Sequence, residues 1–352
     1  MYYSIGKKVG VFIDSQYEDK WGNFKLNDVA EIITNECYEQ TNVKLSIYYE
    51  KNPMTKNTDE AAMKFYDANL SVAIIKNSDT DFSIFASYEC PEWFNVMLEV
   101  MMLKAGLTFV HAAALEKNGS SVLLPARGGV GKTATAMKLI KQHGWRLLGD
   151  DLVILNEAPN LIIGYHRPFV IYGYHKNIFP EFFSEGKGPV KNSFVSDIMT
   201  TTIPMMKKIL RTVPAVLSFA RTHNPHSKRV RPADLFSENQ LANCAEHINK
   251  TIWIDRTSTD SVSFSACSFE EISARCAAVT LTELTAGGTN LNNSLIEMCN
   301  SGMLNYKEIY NRIFDIIASV ISNADTYVLS IPKHIPIEDV ADIVYEYIES
   351  VK

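Results

Sequence analysis

The sequence predicts a mixed α/β fold, with a small α+β module over 1–90 ahead of a larger α/β domain over 91–352. Three observations carry that expectation. Short β-like runs bounded by Asn, Asp and Gly fill the first ninety residues. A β-like run, a glycine-rich loop, a helical stretch and a second β-like run then follow one another over 120–155, and the last third of the chain returns to helical periodicity.

In the first module KKVGVFID, VKLSIYYE, LSVAIIKN and FSIFASYE read as strands, and a helix is expected over 27–39. Pro91 suits the first turn of the next helix, because the N–H it lacks is one that a helix start leaves unpaired. Phe94, Met97, Leu98, Met101 and Met102 then fall on one face, and Gly106 can close the end. FVHAAALE and SSVLLP read as two strands joined through Asn118-Gly119, a pair that accepts the positive φ angles of a two-residue hairpin turn. A helix over 133–143, closed by Gly144, follows, and WRLLGDDLVIL reads as strand, acidic turn and strand. Beyond 165 the pattern loosens. KTIWIDRT and TYVLSIP are expected as strands, and IEDVADIVYEYIES as a helix whose first-turn acids suit the positive end of its dipole.

With 46% hydrophobic and 21% charged residues among 352, the chain has the composition of a globular protein able to bury a sizeable core. A formal net charge of −6 argues against nucleic acid as a partner. The local exception is an inserted basic segment near 165–240, where Lys207, Lys208, Arg211, Arg221, Lys228, Arg229 and Arg231 precede Asp234 with no acidic residue after Pro204. It reads either as a solvated surface or as a contact for an acidic or phosphorylated partner, whose binding would weaken as salt rises. Cys37, Cys90, Cys244, Cys267, Cys276 and Cys299 form no C-x-x-C pair and have no histidine at ligand spacing, so buried free thiols are expected. No signal-peptide pattern and no uncharged apolar stretch of about 18 residues occurs, so a cytoplasmic chain with no membrane span is expected.

The loop spanning Ala126, Arg127, Gly128, Gly129, Val130, Gly131, Lys132 and Thr133, with Ala134 behind it, matches the relaxed Walker A pattern, alanine standing where the first glycine is usual. Glycines let backbone N–H groups fold inward around phosphate oxygens. Lys132 would set a point charge on the β- and γ-phosphates, Thr133 would offer its hydroxyl to Mg²⁺, and the helix N-terminus adds partial positive charge. Asp150 and Asp151 follow the lysine at a distance of eighteen and nineteen residues. If the strands flanking the helix run parallel, both acids emerge at the edge where the loop lies. Two adjacent carboxylates are costly to bring together without a cation, so Mg²⁺ bridging to a triphosphate is the expected partner, with one acid on the metal and the other near a hydroxyl nucleophile as base.

FVHAAALEKNGSSVLLPARGGVGKT and KQHGWRLLGDD together resemble the signature of the HPr kinase/phosphorylase superfamily, whose fold is related to phosphoenolpyruvate carboxykinase. Later runs, RPF, RVRPADLF, WIDRT and YVLSIP, look like the HPr-kinase-like proteins of peptide-modification settings, including lasso-peptide kinases, so that the resemblance spans roughly 91–350. It implies an ATP- and Mg²⁺-dependent kinase with Asp150 as base, Lys132 and His111 in the catalytic site, Thr133 and Asp151 on the metal, and Arg167 as a phosphate or substrate contact. The two acids could exchange roles. The implied acceptor is a hydroxyl, in a small peptide, a carrier protein or a small molecule, and a homo-oligomer is left open. Three departures, the alanine in the loop, the long stretch after the aspartates and the missing downstream glycine-rich segment, argue against phosphorolysis and against HPr as acceptor. A nucleotide-binding accessory protein that has lost turnover is the alternative; a carboxykinase would need a cluster of substrate-binding arginines that the sequence does not offer.

Overall fold

The computed structural model describes residues 1–17, 30–53, 63–88, 90–172, 227–283, 285–286 and 289–350. Across them the protein is mixed α/β, as expected. Seven strands of the first 86 residues form one sheet: β1 (Tyr2–Ile5), β2 (Val9–Ile13), β3 (Ala30–Ile33), β4 (Val43–Tyr49), β5 (Met63–Asp67), β6 (Val72–Ser78) and β7 (Asp81–Ala86), in the order β3-β1-β2-β4-β7-β6-β5. The helix expected over 27–39 is shorter. Ala30–Ile33 pairs with β1 as strand β3, and α1 is confined to Asn35–Glu39, while 27–29 lie outside the described residues. The cause is local: Thr34 caps α1 by accepting from the Cys37 N–H, which fixes the helix start, and the β-branched Ile32-Ile33 pair before it favours a strand.

One face of this sheet, carrying Ile5, Val9, Val11, Leu45, Ile47, Ile74 and Ile84, packs into the core that also holds α2 (Pro91–Lys104). Phe94, Met97, Leu98, Met101 and Met102 are all buried, and each such side chain contributes about 1.5–3 kcal/mol by leaving water.

The rest of the chain builds two further main sheets. β9 (Ala112–Lys117), β10 (Ser120–Pro125), β11 (Arg146–Gly149), β17 (Lys250–Thr257), β18 (Ser263–Ala266) and β21 (Asp325–Pro332) are arranged β11-β9-β10-β17-β21-β18. β8 (Leu107–Val110), β12 (Val153–Glu157), β13 (Asn160–Ile163) and β16 (Cys244–Ala245) are arranged β16-β13-β12-β8. Two short ladders join β14 (Phe169–Tyr172) to β15 (Ser227–Val230) and β19 (Thr285–Ala286) to β20 (Thr289–Asn290). α3 (Lys132–His143) packs on the C-terminal α7 (Ile337–Ser350), and residues of both share a core with Leu124, Ile252 and Ile254. α4 (Phe269–Glu283), α5 (Leu291–Asn300) and α6 (Tyr306–Ile321) contribute instead to the core around α2 and β8.

β10 and β11 run in the same direction, both antiparallel to β9, which lies between them. The strands flanking the glycine loop and the aspartates are therefore parallel but not neighbours. The hairpin at Asn118-Gly119 forms as expected, with φ of 54° and 79°.

The chain passes twice between the six- and four-stranded sheets. At residue 111 it leaves β8 for β9, and at 150–152 it leaves β11 for β12; β8 pairs β12 and β9 pairs β11, so both passages lie on one seam. Gly149 makes the second passage possible. A Cβ there would stand 2.7 Å from the Leu152 carbonyl oxygen and 2.9 Å from Val153 Cγ1, and backbone leaves such a contact no room to relax.

Of the basic segment, Lys207, Lys208, Arg211 and Arg221 lie outside the described residues; Lys228 and Arg229 belong to β15, and Arg231 pairs with Asp234 at 3.1 Å. No disulfide joins any of the six cysteines, but only Cys90 and Cys276 are buried; Cys37 and Cys244 are exposed, contrary to the expectation of buried thiols. Among the described residues no helix is long and apolar enough to cross a membrane.

Candidate functional site

The seam and the glycine loop meet at one edge of the six-stranded sheet. β10 ends at Pro125, the loop follows, and α3 starts at Lys132 with Gly131 at its N-cap. Gly129 and Gly131 have φ of 77° and 108°, a region that L side chains resist. At Gly131 space is short as well, since a Cβ would lie 3.1 Å from Val340 Cγ1 of α7.

Lys132 is almost wholly buried, and its Nζ donates to the carbonyls of Ala126 at 3.1 Å and Arg127 at 2.9 Å, curling the loop around the ammonium group. Burial lowers its pKa, while Asp150, Asp151 and Glu283 act to raise it. Thr133 Oγ1 donates to Asp150 Oδ2 at 2.7 Å. Asp150 is 5% exposed, and its Oδ1 has no hydrogen-bond partner among the described residues. Burial pushes its pKa up to about 6, against the Thr133 hydrogen bond and the Lys132 charge.

Asp151 sits on the other side of the turn, with φ of 72° and a side chain 51% exposed. Its Oδ1 accepts from His111 Nε2 at 3.1 Å and its Oδ2 from Arg167 Nη1 at 2.8 Å. Loss of water works to raise its pKa, yet the His111 hydrogen bond and the Arg167 charge outweigh that and hold it at about 2. As an ionised carboxylate only accepts, the proton of this contact resides on Nε2. The two passages along the seam explain the meeting of His111 and Asp151, forty residues apart in sequence. Arg167 is brought in by an extension of β11, where Gly149 bridges Tyr165 and Tyr165 N–H donates to Leu148 O at 2.8 Å.

Lys132, Thr133, His111, Asp150, Asp151 and Arg167 thus gather at one edge, but Thr133 meets Asp150 and not Asp151. One participant is missing from the sequence reading. Glu283, the last residue of α4, accepts from the Gly128 N–H through Oε2 at 2.8 Å, and the same oxygen stands 2.9 Å from His111 Nδ1. That second approach is off the angle of a hydrogen bond, and Nδ1 has no such partner among the described residues. Nothing in a chain position 155 residues from Gly128 signals the contact. Arg256, in the WIDRT run, donates to Lys333 O at 2.9 Å and to Ile335 O, fixing the connection into α7 beside Gly131.

The donor set suits a hard cation. A buried carboxylate oxygen without a partner and a threonine hydroxyl bonded to the same carboxylate are oxygen ligands of the kind Mg²⁺ takes. Among the described residues no group of three or more His, Cys, Asp or Glu is preassembled for a metal, so phosphate and water oxygens would complete the shell.

No family model matches the chain. It is similar to an HPr kinase/phosphorylase of Mycoplasma mycoides subsp. mycoides SC, 38% identical over 60 residues. The match covers 17% of this chain and 19% of that enzyme. A likeness of this extent leaves the family unassigned.

Proposed function

We propose that the protein is an ATP-dependent kinase that transfers the γ-phosphoryl group to a hydroxyl acceptor, with a P-loop core formed by β10, the loop 126–131 and α3. The observation that carries this reading is the convergence of Lys132, Thr133 and both aspartates at one loop, with the buried Asp150 bonded to Thr133. The glycine loop and the helix N-terminus offer N–H groups to the phosphates, and Lys132 neutralises the charge that builds as the phosphoryl group moves.

Thr133 and Asp150 would hold Mg²⁺, which supplies charge neutralisation at the phosphate oxygens when bound. This exchanges the roles expected for the two acids. Asp151 is pinned by His111 and Arg167 on the open side, where it stays ionised at about 2 and orients an incoming hydroxyl by accepting its proton in a hydrogen bond. A carboxylate of that pKa is a weak base, which suits a transfer that depends mainly on positioning. Arg167, on the same open side, is the side chain best placed to meet a phosphate or the acceptor.

Incubation with γ-labelled ATP and a panel of acceptors, serine-containing peptides and small polyols among them, tests the reading. Labelled product is expected, with transfer reduced about a hundredfold or more in Lys132→Ala and Asp150→Asn. Undiminished transfer in both variants would remove the site. Tight nucleotide binding with no transfer to any acceptor would favour the accessory-protein alternative.

A further inference from the structure

We propose that Glu283 is a built-in competitor for the anion site of the loop: its carboxylate occupies the Gly128 amide that a phosphate group takes when a nucleotide enters. The inference rests on the phosphotransfer reading for the identity of the ligand and on geometry for the rest. Oε2 of Glu283 accepts from the Gly128 N–H at 2.8 Å, and a Cβ added to Gly128 would lie 3.4 Å from that same oxygen, so the carboxylate sits directly against that amide. The His111 ring lies on the other side, with Nδ1 2.9 Å from the same oxygen.

A backbone N–H directs its hydrogen at one acceptor well, and a carboxylate and a phosphate at that point would repel each other. The two therefore exclude one another. Small anions gain only part of the cradle and compete poorly with a tethered carboxylate. A triphosphate that also engages the remaining loop amides and Lys132 can displace it, so Glu283 raises the number of phosphate contacts a ligand must make. The residue thus selects for a nucleotide over free pyrophosphate.

Calorimetry on the full chain, wild type, Glu283→Ala and Glu283→Gln, with Mg-ATP and with Mg-pyrophosphate decides the matter. Glu283→Ala should bind both ligands about tenfold more tightly, the value expected for losing a charged acceptor from one amide, with the larger gain for pyrophosphate. Glu283→Gln retains an acceptor oxygen without the charge and should fall between. Thermal melting reports folding, and if the alanine variant unfolds, the glutamine variant decides alone. Equal or weaker binding in folded variants, with Lys132-dependent ATP binding in the wild type, overturns the competitor role and spares the kinase reading. Failure of all three proteins to bind either polyphosphate overturns both.

Discussion

Two buried carboxyl groups, Glu99 under the first sheet and Asp150 at the loop, show how differently one chain can treat the same chemistry. Glu99 is fully buried on α2, and burial pushes its pKa up to about 7. Both its oxygens are satisfied: the Thr108 hydroxyl donates to one at 2.6 Å and the Phe109 N–H to the other at 3.3 Å. Asp150 is raised by burial as well, but one of its oxygens has a partner and the other has none among the described residues. A buried acid with every atom paired ties helix to strand. One with an orphaned oxygen beside a lysine and a threonine is costly to the fold and poised for a ligand.

Removing Glu99 should therefore hurt folding most. Glu99→Ala strips the Phe109 N–H of its acceptor, leaves the Thr108 hydroxyl only its longer contact to Phe109 O, and opens a cavity in a dry interior, so the unfolding free energy should fall by about 3–4 kcal/mol in urea titrations at pH 7. Asp150→Asn replaces a poorly solvated charge by a neutral group that can still accept from Thr133, so stability should change by less than about 1 kcal/mol or rise while transfer is lost. Equal destabilisation by the two substitutions would erase the distinction between them.

The same pair sets a pH dependence. Folded chain keeps protons on Glu99 and Asp150 that unfolded chain has released, so their contribution is fully present below the ordinary carboxyl range, about 4, and is lost as pH rises through about 6 and then about 7. For Glu99 the swing is on the order of 3 kcal/mol. Asp151 acts oppositely, its contribution being present above about 4 and lost as pH falls towards 2. Urea midpoints between pH 5 and pH 8 should decline in the wild type and flatten in Glu99→Gln. An unchanged slope in that variant would show that Glu99 titrates in the folded chain as it does in water.

Much of this architecture is legible in the sequence because local chemistry dictates it. Asn118-Gly119 fixes a hairpin, Gly144 closes α3 with φ of 71°, and KTIWIDRT coincides with β17. The loop and the aspartate pair are legible for the same reason, since glycines and adjacent acids are expensive without a use. Long-range placement is not. That β9 inserts between β10 and β11, that the chain changes sheet at His111 and again at Asp150, and that Glu283 comes to Gly128 all depend on tertiary packing with no short-range signature. The pairing of Thr133 with Asp150 is a consequence of that turn, where adjacent side chains diverge and only the first of the two acids faces inward.

The smallest effect on stability belongs to the exposed partner at the same turn. Arg167 and Asp151 are paired at 2.8 Å, yet their side chains are 33% and 51% exposed, so water already solvates much of both charges. Such a pair typically contributes no more than about 1 kcal/mol. A double-mutant cycle of Arg167→Ala and Asp151→Asn, read by urea unfolding at about 0.15 M salt, should give a coupling below that value and a smaller one at 1 M salt. Arg167→Ala should nonetheless raise the KM for ATP or for the acceptor, because the proposed duty of this guanidinium is towards a ligand. A coupling of several kcal/mol would place the pair in the dry, fold-holding category of Glu99, and a KM unchanged for both substrates would take Arg167 out of the site.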